Sequence, residues 1–139
     1  MQPAFACILA SATLTGLLGS VHLLYTFHGT KLHPRDGAVT LAMQTAHFQL
    51  TRETTVWRAG LGFHASHSMG AMLFALVFGY LAVWHPGFLQ QSAFLLALGM
   101  AVLLVYWVLA RRFWFSIPRR GLALAAGLYG VGLLILLVG

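Results

Sequence analysis

Four long apolar stretches, nearly free of charged side chains, constrain the fold of this chain more than any other feature. They cover about residues 4–27, 57–84, 92–110 and 121–138, and a helix needs about 20 residues to cross the hydrocarbon core of a bilayer. The chain is 60% hydrophobic and only 7% charged, whereas soluble domains carry about 25% charged residues. The sequence therefore predicts an all-α integral membrane four-helix bundle, built as a single transmembrane domain over residues 1–139.

The lysine and arginine residues lie only in the first and third connections between these stretches. The second connection and both chain ends contain none. Because basic loops of membrane proteins stay in the cytoplasm, this pattern predicts a multi-pass protein of the bacterial inner (cytoplasmic) membrane with periplasmic N- and C-termini. The basic residues are Lys31, Arg35, Arg52 and Arg58 in the first connection and Arg111, Arg112, Arg119 and Arg120 in the third.

The strongly basic balance also bears on the partners of the chain. Its formal net charge is +6 and its isoelectric point is about 10.5. A nucleic-acid-binding surface spreads basic residues over a solvated face or groove, whereas here they adjoin apolar stretches. The sequence therefore predicts contact with the lipid bilayer, and with anionic lipid headgroups at the basic loops, but no nucleic-acid partner.

The first connection is too long for a simple turn and too polar for a span. Asp36 suits the N-cap position of a helix, and apolar residues follow it at helical spacing. We therefore expect an additional amphipathic helix over about residues 36–52, lying at the membrane interface between spans one and two. The apolar positions that define its face are Val39, Met43, Ala46 and Leu50.

Small residues recur four apart along three of the spans, which is the spacing that brings them onto one helix face. Close helix packing in membranes uses such residues, because lipid supplies no hydrophobic drive for association. These stripes predict packing within the bundle, against other membrane-protein subunits or against a second copy. They consist of Ala12, Gly16 and Ser20; Gly62, Ser66 and Gly70; Ala71, Ala75 and Gly79; and Ala126 with Gly130.

Three histidines lie inside the predicted spans, where an ionisable side chain needs protein, water or a ligand around it. They are His22 in the first span and His64 and His67 in the second. At a rise of 1.5 Å per residue, all three lie roughly 8 to 15 Å deep on the same side of the membrane. The polar faces of the two spans could meet and bring the three imidazoles together.

Such a group suits three functions, and a purely structural role stays open beside them. A b-type haem could bind between His22 and either His64 or His67, with Arg58 near a propionate. A divalent metal could bind His22, His64 and His67. A proton or ligand path is the third function, because the ordinary pKa of imidazole lies near neutral pH. In the structural role, the imidazoles bond each other and nearby hydroxyls and carbonyls as packing contacts.

A resemblance to a known family rests on three segments, residues 22–27, 31–36 and 54–68, which read HLLYTF, KLHPRD and TTVWRAGLGFHASHS. Together they resemble an uncharacterised family of small four-span bacterial membrane proteins. The resemblance covers roughly the first 85 residues. It implies the four-span architecture and, because the family carries Asn at the position of His64, it favours His22 with His67 as a ligand pair. It brings no known activity.

No catalytic residues are predicted. The chain has no nucleophile elbow of the Gly-x-Ser-x-Gly type, and its only acids, Asp36 and Glu53, lie in the first connection. The leading hypothesis is a small non-enzymatic membrane protein, an accessory or structural subunit of a larger membrane complex. The first alternative is a membrane redox protein that binds haem b or a divalent metal through the histidines, and the second is a small transporter.

Overall fold

The computed structural model describes residues 2–138, and the protein is 82% helical. Four of its helices are long and apolar enough to cross a membrane. Within the described residues there is no strand, only one isolated bridge between His47 and Thr55. The predicted all-α membrane-spanning bundle is thereby confirmed. In chain order, the helices are α1 (Pro3–Phe27), α2 (Gly37–Thr45), α3 (Val56–Trp84), α4 (Pro86–Gln91), α5 (Ala93–Phe113) and α6 (Ser116–Val138).

The first two spanning helices begin and end close to their predicted limits, but the last two come nearer to each other than expected. Helix α5 continues to Phe113 and α6 begins at Ser116, so only two residues separate them. Pro118 is accepted inside α6 because it lies in the first turn, where its missing N–H has no helical partner to lose. The basic residues of the third connection therefore lie on helix ends rather than in a loop.

The predicted interfacial helix exists but is shorter than expected. The Asp36 carboxylate caps its first turn by accepting a hydrogen bond from Ala38 N, at 2.8 Å. The helix ends at Thr45 instead of continuing to residue 52, because the backbone of Ala46 is extended and its carbonyl accepts a hydrogen bond from Val56 N. Leu50 is 95% exposed, so the predicted apolar face is cut short by this pairing.

The second connection contains the short helix α4. Helix α4 begins with Pro86 in its first turn, and its Leu89 side chain is fully buried. Ser92 then caps α5 by accepting a hydrogen bond from Leu95 N. Apolar anchoring and capping thus order a connection that has no charged residue.

The chain divides into two compact units. One, here named the core unit, consists of the described parts of residues 1–18 and 71–139, and the other consists of residues 19–70 and is named the 19–70 unit. The spanning helices α1 and α3 contribute residues to both. The single transmembrane domain over residues 1–139 stays a prediction.

The core unit packs through the small residues that the sequence predicted for this purpose. A Cβ atom built on Gly16 would lie 2.8 Å from the Cβ of Ala75, and one built on Gly79 would lie 3.8 Å from the Cβ of Ala12. Ser11 adds a polar contact, because its Oγ donates to the carbonyl of Ala125 at 2.7 Å. The buried apolar side chains of this unit include Phe5, Ile8, Phe74, Phe78, Leu89, Leu103 and Tyr129.

Candidate functional site

The 19–70 unit contains all three histidines that the sequence analysis singled out. His22 lies on the last turns of α1, and His64 and His67 lie on the first half of α3. His22 Nε2 and His64 Nδ1 are 3.2 Å apart, a hydrogen-bond distance in which one nitrogen donates and the other accepts according to the tautomer. The two ring centroids are 5.2 Å apart.

His67 contacts the same imidazole from a different direction. Its ring meets that of His22 edge to face, with centroids 5.4 Å apart. His22 is therefore the centre of the group, with His64 as near to it as His67. The preference for His67 over His64 that the family resemblance implied stays a prediction.

Two hydroxyl groups satisfy backbone carbonyls next to the imidazoles. Thr26 Oγ1 donates to the carbonyl of His22 at 2.9 Å, and Ser68 Oγ donates to the carbonyl of His64 at 3.0 Å. Both hydroxyl-bearing residues are buried. Ser68 was among the hydroxyls expected to bond the imidazole rings, but it bonds the helix backbone, as Thr26 does and as Ser and Thr commonly do in helices.

The predicted haem and metal ligands are His22, His64 and His67, with Arg58 near a haem propionate. Within residues 2–138, no group of three or more His, Cys, Asp or Glu side chains is arranged to hold a metal ion. Arg58 lies in the first turn of α3 with an exposed side chain, six positions before His64 or about 9 Å along the helix axis. The assignments of haem and metal ligands thus stay predictions.

A cavity of about 330 Å³ adjoins the histidine group. Its polar lining comes from Thr26, His33 and His64, and the rest of the lining is apolar. The end of α1, the loop before α2, α2 itself and the start of α3 each contribute. The other lining residues are Leu32, Pro34, Met43, Trp57, Gly60 and Leu61.

Local sequence explains how the loop reaches this cavity. Gly29 takes a positive φ of 85° as the chain leaves α1, a conformation that glycine adopts without steric cost. A turn follows, in which His33 N donates to the carbonyl of Thr30 at 3.0 Å. The His33 imidazole then meets the Trp57 ring edge to face, with centroids 4.8 Å apart.

His33 and Trp57 are site residues that sequence reasoning missed. His33 lies in the loop between α1 and α2, and Trp57 is the second residue of α3. Helical periodicity carries no signal for a loop residue, because its partner is decided by the path of the loop. The only available hint was the short His33-Pro34 pair, in which proline restricts the backbone of the preceding residue.

The charged residue beside the cavity is basic, and no acidic residue lines it. Lys31 lies next to the lining residue Leu32, and its Nζ donates to the Tyr25 hydroxyl at 2.9 Å while lying 4.1 Å above the Tyr25 ring centroid. The two acids of the chain, Asp36 and Glu53, do not line the cavity. The carboxylate of Asp36 is engaged as the cap of α2.

Two further histidines have local contacts away from the cavity. His47 Nδ1 lies 2.9 Å from the carbonyl of Thr54, and His85 Nε2 lies 3.1 Å from the Tyr80 hydroxyl. The first contact accompanies the bridge that ends α2, and the second holds the end of α3. Both contacts join residues that are close in sequence and stabilise local structure.

The comparisons with known proteins found no relative from which a function could be transferred. No family model matches the chain, no curated protein matches its sequence, and no solved structure matches it. The site must therefore be interpreted from its own geometry.

Proposed function

We propose that this chain is a small non-enzymatic accessory protein of the bacterial inner membrane that binds a small amphipathic molecule in the cavity of its 19–70 unit. The observation that carries the proposal is the cavity itself, about 330 Å³ with an apolar lining and three polar residues. Small-molecule sites in proteins have volumes of about 300–1,000 Å³ and a mostly apolar lining with a few polar groups that orient the ligand.

The position of His64 supports the same proposal. It is the ninth residue of the spanning helix α3 and its side chain is exposed, which places it about 12 Å from the start of the helix. An imidazole at hydrocarbon depth is unfavourable unless polar groups surround it, and His22 meets the His64 ring at its Nδ1 side. A bound molecule with a polar end and an apolar body would cover His64 and contact the apolar lining, which includes Trp57.

Tryptophan quenching by a brominated amphiphile tests the proposal directly. In a variant with Trp84, Trp107 and Trp114 changed to Phe, the remaining Trp57 reports on the cavity. The probes are a brominated long-chain alcohol and the brominated fatty acid of the same chain length. We expect at least one probe to quench Trp57 saturably in purified protein in mild detergent.

A pair of glycines on one helix supplies the matched control. Gly60 lines the cavity and Gly62 does not, and a Cβ built on either has no neighbouring atom within 4 Å. Gly60→Leu is expected to fill the cavity and abolish saturable quenching, whereas Gly62→Leu leaves it intact. Quenching that rises linearly with probe concentration, or that Gly60→Leu does not change, would contradict the proposal.

The accessory role and the orientation are parts of the same proposal. With the basic residues in the cytoplasm, the cavity lies on the cytoplasmic side, and the N- and C-termini lie in the periplasm. The open faces of α3 at Gly62 and of α6 at Gly127, which have no atom within 4 Å of a built Cβ, suit lateral contact with partner subunits. A protein that binds a ligand within the membrane would present it to such a partner.

A second candidate function, a redox or metal-binding membrane protein, is favoured by one distance. The 3.2 Å between His22 Nε2 and His64 Nδ1 is close to the separation of about 3.3 Å between two imidazole nitrogens on one tetrahedral zinc ion, given Zn–N bonds of about 2.0–2.1 Å. Haem fits less well, because its macrocycle needs an open slot between axial histidines and these rings are in contact.

Metal analysis and an absorption spectrum test this second candidate. Protein purified from native membranes should carry stoichiometric metal or a visible absorption band if this candidate is correct, and a colourless, metal-free preparation rejects it.

A further inference from the structure

The chemistry of the cavity lining bears on which amphipathic molecule fits it. His33 and His64 line the same cavity, and each imidazole carries at least one N–H donor. Thr26 contributes oxygen lone pairs only, because its hydroxyl hydrogen is donated to the carbonyl of His22. The cavity therefore offers a ligand two imidazoles, each able to donate a hydrogen bond, beside the hydroxyl oxygen of Thr26 as an acceptor.

The contact between His22 and His64 sets which nitrogen of His64 remains available. If His22 Nε2 donates to His64 Nδ1 across their 3.2 Å separation, the proton of His64 is on Nε2, and that nitrogen is a donor. An acidic ligand selects this tautomer, because it needs a donor. His22 then acts as a positioning residue that orients the His64 ring, in the way that a hydrogen bond on one imidazole nitrogen sets the role of the other.

The charged residues around the cavity also favour an acidic ligand. The 19–70 unit has four basic residues, Lys31, Arg35, Arg52 and Arg58, and only two acids. No acid lines the cavity, so a cationic ligand would find no carboxylate partner. An anionic headgroup gains charge-assisted hydrogen bonds from imidazole donors, and its burial is tolerated only where such bonds exist.

We infer that the cavity binds the acidic headgroup of an amphiphile, a carboxylate or a phosphate, between His33 and His64, with the apolar chain against Leu32, Met43 and Leu61. This inference rests on the proposed function and adds the chemical class of the ligand. A free fatty acid and an anionic phospholipid share this chemistry, because each joins an acidic group to a long apolar chain.

The test compares the two brominated probes in the variant whose only tryptophan is Trp57. Because a hydrogen bond to a charged group contributes about 1.5–3 kcal/mol, the fatty acid is expected to bind at least about ten-fold more tightly than the alcohol. His64→Leu and His33→Leu should each remove about ten-fold of the affinity for the acid and leave the affinity for the alcohol unchanged. His85→Leu, which lies outside the cavity, is the matched histidine control and should change neither.

The outcomes separate this inference from the proposed function. If the acid and the alcohol bind equally, or if both histidine variants keep full preference for the acid, the inference fails while ligand binding in the cavity stands. If neither probe quenches saturably, the proposed function fails as well. Near-ultraviolet circular dichroism of each variant identifies any loss of folding, and in that event His64→Gln and His33→Gln, which keep the polarity of the site, replace the leucine variants.

Competition then distinguishes the two sources of the ligand. Displacement of the brominated fatty acid by oleate alone assigns a free fatty acid, and displacement by phosphatidic acid in mixed micelles assigns an anionic phospholipid. Either result supports the acidic headgroup. Equal displacement by phosphatidylcholine, whose headgroup has no net charge, would overturn it.

Discussion

The contribution of a buried hydroxyl inside a spanning helix to stability depends on whether it has a hydrogen-bond partner. Ser11 donates to the carbonyl of Ala125, and Thr15 donates to the carbonyl of Ser11. Tyr129 is different, because its hydroxyl is buried and has no hydrogen-bond partner within residues 2–138. A buried polar group without a partner lowers stability, whereas a paired one contributes a modest gain.

This contrast predicts opposite effects of two conservative substitutions. Tyr129→Phe should leave the free energy of unfolding unchanged or raise it by about 1 kcal/mol, because it removes an unpaired buried hydroxyl. Ser11→Ala should lower the free energy of unfolding by about 0.5–1.5 kcal/mol, because it leaves a hydrogen bond unmade. Unfolding in mixed detergent micelles measures both. A loss for Tyr129→Phe as large as that for Ser11→Ala would show that the hydroxyl has a partner such as a bound water.

Helices pack closely in the core unit where glycine leaves room for a neighbouring ring. A Cβ built on Gly99 of α5 would lie 2.6 Å from Cζ of Tyr129 on α6 and 2.7 Å from Cε1 of Phe78 on α3. The rings of Phe78 and Tyr129 also meet edge to face, with centroids 5.8 Å apart. Contact at Gly99 therefore sets how near α5 approaches these two helices.

Adding one methyl group at this contact is expected to destabilise the helix packing. Gly99→Ala should lower the free energy of unfolding by about 1–3 kcal/mol, the usual cost of overpacking a core. Gly127→Ala on α6 is the matched control, because nothing lies within 4 Å of its built Cβ, and surface changes of this kind stay within about 0.5 kcal/mol. Equal effects of the two substitutions would mean that Gly99 is not a packing contact.

At the scale of the whole molecule, charge placement predicts an orientation. All Lys and Arg residues belong to the first and third connections or the helix ends beside them, and the second connection has none. An asymmetry of this kind orients membrane proteins with the basic side in the cytoplasm. We therefore expect α4 and both chain ends on the periplasmic side.

Cysteine labelling in intact cells checks this orientation. After Cys7→Ser removes the native thiol, Gln49→Cys marks the first connection and Gln90→Cys marks the second, both at exposed glutamines. A membrane-impermeant maleimide should label Gln90→Cys in intact cells and Gln49→Cys only after permeabilisation. The reverse pattern would invert the orientation and place the cavity on the periplasmic side.

The features that sequence alone determined are those that depend on short windows of residues. The four spans follow from the mean hydropathy of about 20 neighbours, and the cap at Asp36 follows from one carboxylate and the next turn of backbone. Both were predicted correctly. The approach of His22 to His64 and His67 was raised as a possibility on helix periodicity, because all three side chains lie on regular helices at matched depth.

Only the tertiary structure decided the features that depend on contacts between residues in different elements. The bond between Val56 N and the carbonyl of Ala46 ended α2 early, against a local pattern that favoured a longer helix. The path of the first loop brought His33 against Trp57 and into the lining of the cavity that His64 also lines. Contacts between residues far apart in sequence arise from the shared packing of several elements, and no local window of sequence contains that information.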